Sequence, residues 1–219
     1  MTRRSEWLSA ELEDYVVAHS ASPDDLLNQL AAETAASYPR AVGMQIGPEQ
    51  GAFMTMLTRL IGARRALEIG TFTGYSAICI ARGLAEGGHL TCCDVSDEWT
   101  SVARRYWGMA GLADRIDLQL RPAAETLRAL PAGQQFDLAF IDADKGGYIG
   151  YWDDVVPRMR QGGVILADNT LFSGYVADPA STDDTVVAIR AFNDHAAADD
   201  RVELVVLPLG DGLTMARKR

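Results

Sequence analysis

Cysteine is scarce in this 219-residue chain: there are three, Cys79, Cys92 and Cys93, all in apolar runs. The odd count and the adjacent pair exclude a disulfide framework, and their spacing offers no zinc site. They read as buried free thiols of a reducing compartment. Long hydrophobic runs are also missing. No stretch approaches the roughly 20 apolar residues of a membrane span, and the opening MTRRSEWLSAELEDY has no apolar core of signal-peptide length. A cytoplasmic protein without membrane association is the expectation. Basic residues are outnumbered, 20 Lys and Arg against 30 Asp and Glu, giving a formal net charge of -10. Such a surface repels phosphate backbones, which argues against nucleic acid as a partner and leaves small ligands. The chain shows neither an internal repeat nor a low-complexity segment.

What is present is alternation. EWLSAELEDYVVAH places Trp7, Leu8, Leu12, Tyr15 and Val16 at helical spacing. SPDDLLNQLAAETAAS follows, with Ser22 as expected N-cap and Pro23 at the first helical position. A third helix starts at Pro48 and is expected to bury Phe53, Leu57 and Leu60. After Gly62 the runs RRALEIG, HLTCCDV, RIDLQLR, FDLAFIDA and GGVILADN each precede a helical stretch. This order predicts an α/β fold, a doubly wound, mostly parallel sheet covered on both faces. At the end RVELVVLP and LTMARKR flank the tight turn LGDG, so the last of seven strands should run antiparallel. The long connection 170–183 is irregular, and such loops are usually functional. Residues 1–219 read as one domain, with 1–42 as a helical extension and 43–219 as the core.

Open parallel sheets bind ligands beyond the carboxyl ends of their strands. Here those ends are acidic: Glu68, Asp94, Asp142 and Asp168, the last followed by Asn169. One such residue alone is best read as a helix cap; four on one rim point to a site. The first loop is E-x-G-x-x-x-G, from Glu68 through Gly70 to Gly74. It lacks the middle glycine of a dinucleotide loop, which disfavours NAD. A carboxylate before the first glycine suits a phosphate-free, cationic nucleoside such as S-adenosylmethionine, and Asp94 is placed like a ribose-binding acid. Asp142, Asp168 and Asn169 leave adjacent strands and can converge. An oxygen-only donor set suits a hard cation, Mg²⁺ or Ca²⁺. Lys145, three residues after Asp142, could take a proton from a substrate hydroxyl that the cation acidifies. The bland reading makes Asp144 a helix cap and Lys145 a solvated charge.

Four segments, LEIGTFTGYS, FIDADKGGYIGYW, GGVILADNTLFSG and LPLGDGLTMARK, resemble the cation-dependent O-methyltransferases of the caffeoyl-CoA and catechol type, especially small bacterial members. The resemblance runs from about Gly43 to the C-terminus. It implies the Rossmann-like fold of class I methyltransferases and a homodimer that methylates one hydroxyl of a vicinal aromatic diol. By position it implies Asp142, Asp168 and Asn169 as metal ligands and Lys145 as general base, with Asp142 also beside the cofactor. It implies cofactor contacts from Glu68, Asp94, Gly70 and Ser76, from Met44 and Ile46 in a segment passing over the cofactor, and from Ala123 beside its adenine. Two departures concern substrate contacts: Phe172 stands where plant members often have Trp, and Gln45-Ile46 where they have Thr-Ser. Among aromatic residues, Phe172 and Tyr175 are the favoured substrate walls, ahead of Tyr148, Tyr151 and Trp152.

Two other functions fit some of these features. Methylation of a hydroxylated uridine in tRNA would need basic patches, for which Arg64-Arg65, Arg104-Arg105 and Arg217-Lys218-Arg219 are the candidates. A non-catalytic module binding an adenosyl ligand would have no use for the Asp142, Lys145, Asp168 and Asn169 set.

Overall fold

The central runs RALEI, FDLAFI and GVILAD are buried on both faces of one sheet, while IDLQL and VELVVL, at its edges, keep exposed residues. The computed structural model describes residues 8–131, 133 and 135–219; Trp7 lies outside them. Three helices come first: α1 (Ala10–Ala18), α2 (Asp25–Ser37) and α3 (Pro48–Leu60). Then β1 (Arg65–Ile69), α4 (Tyr75–Gly83), β2 (His89–Asp94), α5 (Asp97–Met109), β3 (Ile116–Leu120) and α6 (Ala123–Ala129) alternate. β4 (Phe136–Ile141), α7 (Tyr148–Val155), β5 (Met159–Asp168) and α8 (Asp184–Ala197) continue the pattern, and β6 (Val202–Leu207) and β7 (Leu213–Lys218) close it. The sheet order is β3-β2-β1-β4-β5-β7-β6. β7 is antiparallel to both its neighbours, as the short turn requires, and the other pairs are parallel.

Both faces of the sheet are covered. Ala66, Leu90, Leu138, Phe140 and Leu166 pack under the α3–α5 side, while Leu67, Ile69, Ala139, Ile141 and Ile165 pack under α6, α7 and α8. Trp152 and Tyr148, both fully buried, meet Phe192 of α8 edge-on at ring-centroid distances of 5.7 and 5.2 Å. Cys79, Cys92 and Cys93 are buried free thiols. Burial pushes Cys79 and Cys93 up to about 12 and Cys92 well above the usual thiol range. No helix among the described residues is long and apolar enough to cross a membrane.

The N-terminal helices depart from the sequence expectation. In α1, Leu12 and Tyr15 are exposed and Glu13 is turned inward. The cap of α2 is Asp24 rather than Ser22, so Pro23 precedes the helix. Asp24 satisfies the Leu27 amide at 3.0 Å while pairing with Arg82 at 2.7 Å, two contacts for one carboxylate. In α3 the buried face is Gln50, Gly51, Met54 and Thr58; Phe53 and Leu57 are half-buried and Leu60 is exposed. At Gly51 and Thr58 α4 comes very close: a Cβ on Gly51 would lie 2.9 Å from Cys79 Sγ, and one on Gly83 2.5 Å from Thr58 Cβ.

Candidate active site

The sheet register brings the acidic strand ends together. Ile69 of β1 stands opposite both Cys93 of β2 and Ile141 of β4, and Ile141 stands opposite Ala167 of β5. Gly70, Asp94, Asp142 and Asp168 therefore leave the sheet side by side. Above them opens a cleft of about 650 Å³. Its lining includes Met44, Ile46, Gly70, Ser76, Asp94, Ala123, Asp142, Lys145 and Asn169. Glu68 and Asp168 lie behind the wall, fully buried. Phe172 and Tyr175 lie outside the lining, in an irregular turn after β5; the aromatic residues of the wall are Phe72, Tyr75, Trp99 and Tyr151.

The loop after β1 is held by its neighbours. Gly70 has φ 89°, and a Cβ there would fall 1.9 Å from the Asp142 carbonyl oxygen, so the glycine is required where β1 and β4 end together. Phe72 takes the left-handed conformation at φ 51°, unusual for a non-glycine residue. Asp94 holds it there: its Oδ2 accepts from the amides of Thr71 and Phe72 at 3.0 and 2.8 Å, and its Oδ1 from Ser96 at 2.8 Å. Gly74 precedes α4, whose first turn has no side-chain cap. Tyr75 and Ser76, in that turn, line the cleft, so orphan amide donors sit beside it.

Glu68 faces the α3–α5 side of the sheet, where Cys92 Sγ donates to its Oε2 at 3.2 Å. Burial raises its carboxyl to about 7, against the hydrogen bonds of Ser76, Cys92 and Thr71, and the charge of Asp142 adds to the rise. It is thus a buried acid poised near neutrality behind the cleft.

At the other end, Lys145 Nζ donates to Asp142 Oδ1 at 2.9 Å and to Tyr148 Oη at 2.7 Å. The Tyr148 hydroxyl in turn donates toward the carbonyls of Asp168 (3.1 Å) and Ile141 (3.3 Å). One buried phenol thus ties the lysine to both strand ends. Asp168 Oδ1 accepts from the Asn169 amide at 2.8 Å, and Asn169 adopts φ 63°, a conformation asparagine tolerates. Asp144 bonds the Tyr151 hydroxyl at 2.6 Å and makes no side-chain cap. Among the described residues no three His, Cys, Asp or Glu side chains cluster as a metal site. At this end Asp142, Lys145 and Asn169 line the cleft, and the Asp168 carboxylate lies buried behind them.

Several wall residues escape a reading by strand ends. Gln45 is buried in the cleft wall, and its Oε1 has no hydrogen-bond partner. Trp99 stacks edge-on against Phe72 at 5.2 Å, but in sequence it is one apolar residue of an amphipathic helix. Tyr148 reads as core, which its ring is; only its hydroxyl serves the site.

The model of a family described as O-methyltransferase matches residues 17–219. A probable caffeoyl-CoA O-methyltransferase of Dictyostelium discoideum is 37% identical over 209 residues, covering 94% of this chain and 90% of the relative. The O-methyltransferase from Bacillus cereus, solved in complex with S-adenosylhomocysteine, superposes with TM-score 0.87 at 33% identity, covering 95% of this chain and 97% of that one. An O-methyltransferase of Streptomyces achromogenes involved in tomaymycin synthesis, solved with S-adenosylmethionine, gives TM-score 0.86 at 28% identity, with 95% and 96% coverage. Fold, family model and relatives agree over nearly the whole length, and the chain belongs to the O-methyltransferase family.

Proposed function

We propose that this O-methyltransferase transfers the methyl group of S-adenosylmethionine to one hydroxyl of a vicinal aromatic diol, with a divalent cation, Mg²⁺ foremost, at the polar end of its cleft. The observation that carries the reading is Lys145 Nζ, held between Asp142 Oδ1 and Tyr148 Oη in the cleft that Asn169 also lines. The residues fit both groups. The uncapped start of α4 suits the carboxylate of an amino acid. Gln45 Oε1 is a buried acceptor in want of a donor, and Asp94 stands at the end of β2. Asp142, Asp168 and Asn169 are oxygen donors of the kind a hard cation takes. Two of the similar structures were solved with S-adenosylmethionine or its demethylated product.

When bound, S-adenosylmethionine supplies an electrophilic methyl group and the cation supplies positive charge beside the diol. The chain supplies the rest. Lys145 Nζ, once its ammonium has given up a proton to solvent, would take the proton of the substrate hydroxyl as a neutral amine. Asp142 and Tyr148 keep that nitrogen at the wall, so little motion is needed at the moment of transfer. Met44, Ile46, Phe72 and Trp99 give the cleft an apolar side that excludes water. Charge is dispersed in such a transfer, so positioning and deprotonation carry most of the rate.

The test is methyl transfer from labelled S-adenosylmethionine to catechol and to phenol, with and without EDTA. Catechol should be methylated and phenol not. EDTA should abolish the reaction and Mg²⁺ restore it, and Asp142→Asn and Asp168→Asn should each demand far more metal. Equal rates on the diol and the phenol, or activity undiminished by EDTA, would overturn the proposal.

A further inference from the structure

We infer that Asp211 is a positioning residue that decides which end of the Asn169 amide faces the cleft. The inference rests on the cation reading proposed above and deepens it. Asn169 is 3% exposed and lines the cleft. Its amide has an acceptor end and a donor end of nearly equal shape, and only its partners can choose between them. Asp211, 42 residues further on and 4% exposed, makes that choice. A carboxylate only accepts. Its Oδ2 lies 3.5 Å from Asn169 Nδ2, which leaves the amide oxygen for the cleft. The distance is long for a hydrogen bond. Even so, in a buried setting the carboxylate attracts the NH₂ end and repels the oxygen. An amide presenting oxygen is a ligand for a cation; one presenting NH₂ is not.

The rest of Asp211 grips the same segment. Its Oδ1 accepts from the Ser173 amide, and its carbonyl accepts from the amides of Leu171 (3.1 Å) and Phe172 (3.3 Å). Within that segment Asn169, Phe172 and Ser173 all have positive φ, a conformation such residues rarely hold without support. Gly212 lets the two stretches touch: a Cβ there would come 2.5 Å from the Leu171 nitrogen. The turn between β6 and β7 thus acts as the buckle of the β5 loop.

The experiment measures binding of Mn²⁺ alone, by electron paramagnetic resonance of the free ion, and of S-adenosylhomocysteine, by calorimetry. It uses the full chain, Asp211→Asn, Asn169→Ala and the double variant. Asp211→Asn keeps an acceptor for Ser173 and the backbone carbonyl, but its NH₂ can draw the Asn169 oxygen away from the cleft. Mn²⁺ affinity should fall about 10–100-fold, the usual effect of losing a group that orients a metal ligand. S-adenosylhomocysteine affinity should not change. In the Asn169→Ala background the same substitution should have no further effect on Mn²⁺. Parental Mn²⁺ affinity in Asp211→Asn, or a loss that persists undiminished without Asn169, would overturn the inference. A parent that binds S-adenosylhomocysteine but no Mn²⁺ would instead remove the cation reading, and this inference with it. Should Asp211→Asn lose S-adenosylhomocysteine binding, the parent decides the matter. Its Asn169 side-chain amide resonance, assigned by its absence in Asn169→Ala, should exchange slowly with water; exchange at the rate of a free amide overturns the assignment.

Discussion

Replacing Lys145 with alanine should move two measurements in opposite directions. The ammonium sits 2.9 Å from Asp142 Oδ1, with both side chains mostly buried at 13% and 15% exposure. It neutralises the carboxylate that a cation would use, and so competes with that cation. At an effective dielectric constant of about 20 the bare attraction across this distance is roughly 6 kcal/mol. Desolvation and side-chain ordering leave a net coupling of about 1–2 kcal/mol, between the exposed and the fully buried cases. At about 1.4 kcal/mol per tenfold, Lys145→Ala should tighten Mn²⁺ binding by about 5–30-fold. Turnover should nonetheless slow by roughly 10²–10⁴-fold, the range for a lost general base. The rate deficit should shrink along a series of increasingly acidic catechols, which need less help to ionise. The assay pairs a Mn²⁺ titration with initial methyl-transfer rates across that series. Wild-type turnover would refute the base. A cation affinity that falls together with the rate would show that Lys145 props up the site and does not compete within it.

Glu68 gives a pH prediction. Its folded value near 7 lies above the ordinary 4.5, so between those values the unfolded chain ionises first and the folded state loses ground as pH rises. Stability should therefore be best below about pH 4.5 as far as this group is concerned, decline towards pH 7 and level off beyond. The Glu68→Gln variant should gain on the parent through that window by up to about 3 kcal/mol in denaturant melts, and a pH-independent difference would contradict the buried acid. Asp144→Asn should keep most activity, with a loss under about tenfold, because its amide oxygen still accepts from Tyr151 and one such bond is worth about 0.5–1.5 kcal/mol; a larger loss would give Asp144 a chemical role. A homodimer is expected at micromolar concentration, burying exposed apolar residues such as Leu12 and Tyr15 of α1 or Val205 and Val206 of edge strand β6, and a monomer mass by light scattering would count against it.

The sheet was legible because its signals are local. Five apolar runs alternating with helices admit few arrangements, and LGDG between the last two strands admits only an antiparallel pair. The outer helices were less legible because spacing does not say what lies opposite. Leu60 completes a helical stripe in sequence, yet it is exposed, and α3 buries Gln50, Gly51, Met54 and Thr58 instead. The site divides in the same way. Residues at strand ends, Asp94, Asp142 and Asn169, follow from a rule about parallel sheets, and they do line one cleft. Gln45, Tyr148 and Asp211 reach the site through contacts that no spacing encodes. Asp211 lies in a turn that any hairpin would need, and nothing near it in the chain points to a residue 42 positions earlier.

The three thiols have a practical consequence. Thiol reagents attack the thiolate, and Cys79, Cys92 and Cys93 are all buried with raised values, so at pH 7 to 8 almost none is ionised or reachable. The native chain is therefore a blank background for maleimide labelling. One cysteine placed at the exposed Tyr175 would take a fluorophore or spin label alone, beside the turn that follows β5, without first stripping the natural thiols from the core. The same quietness means that the three thiols should stay reduced in air without added reductant.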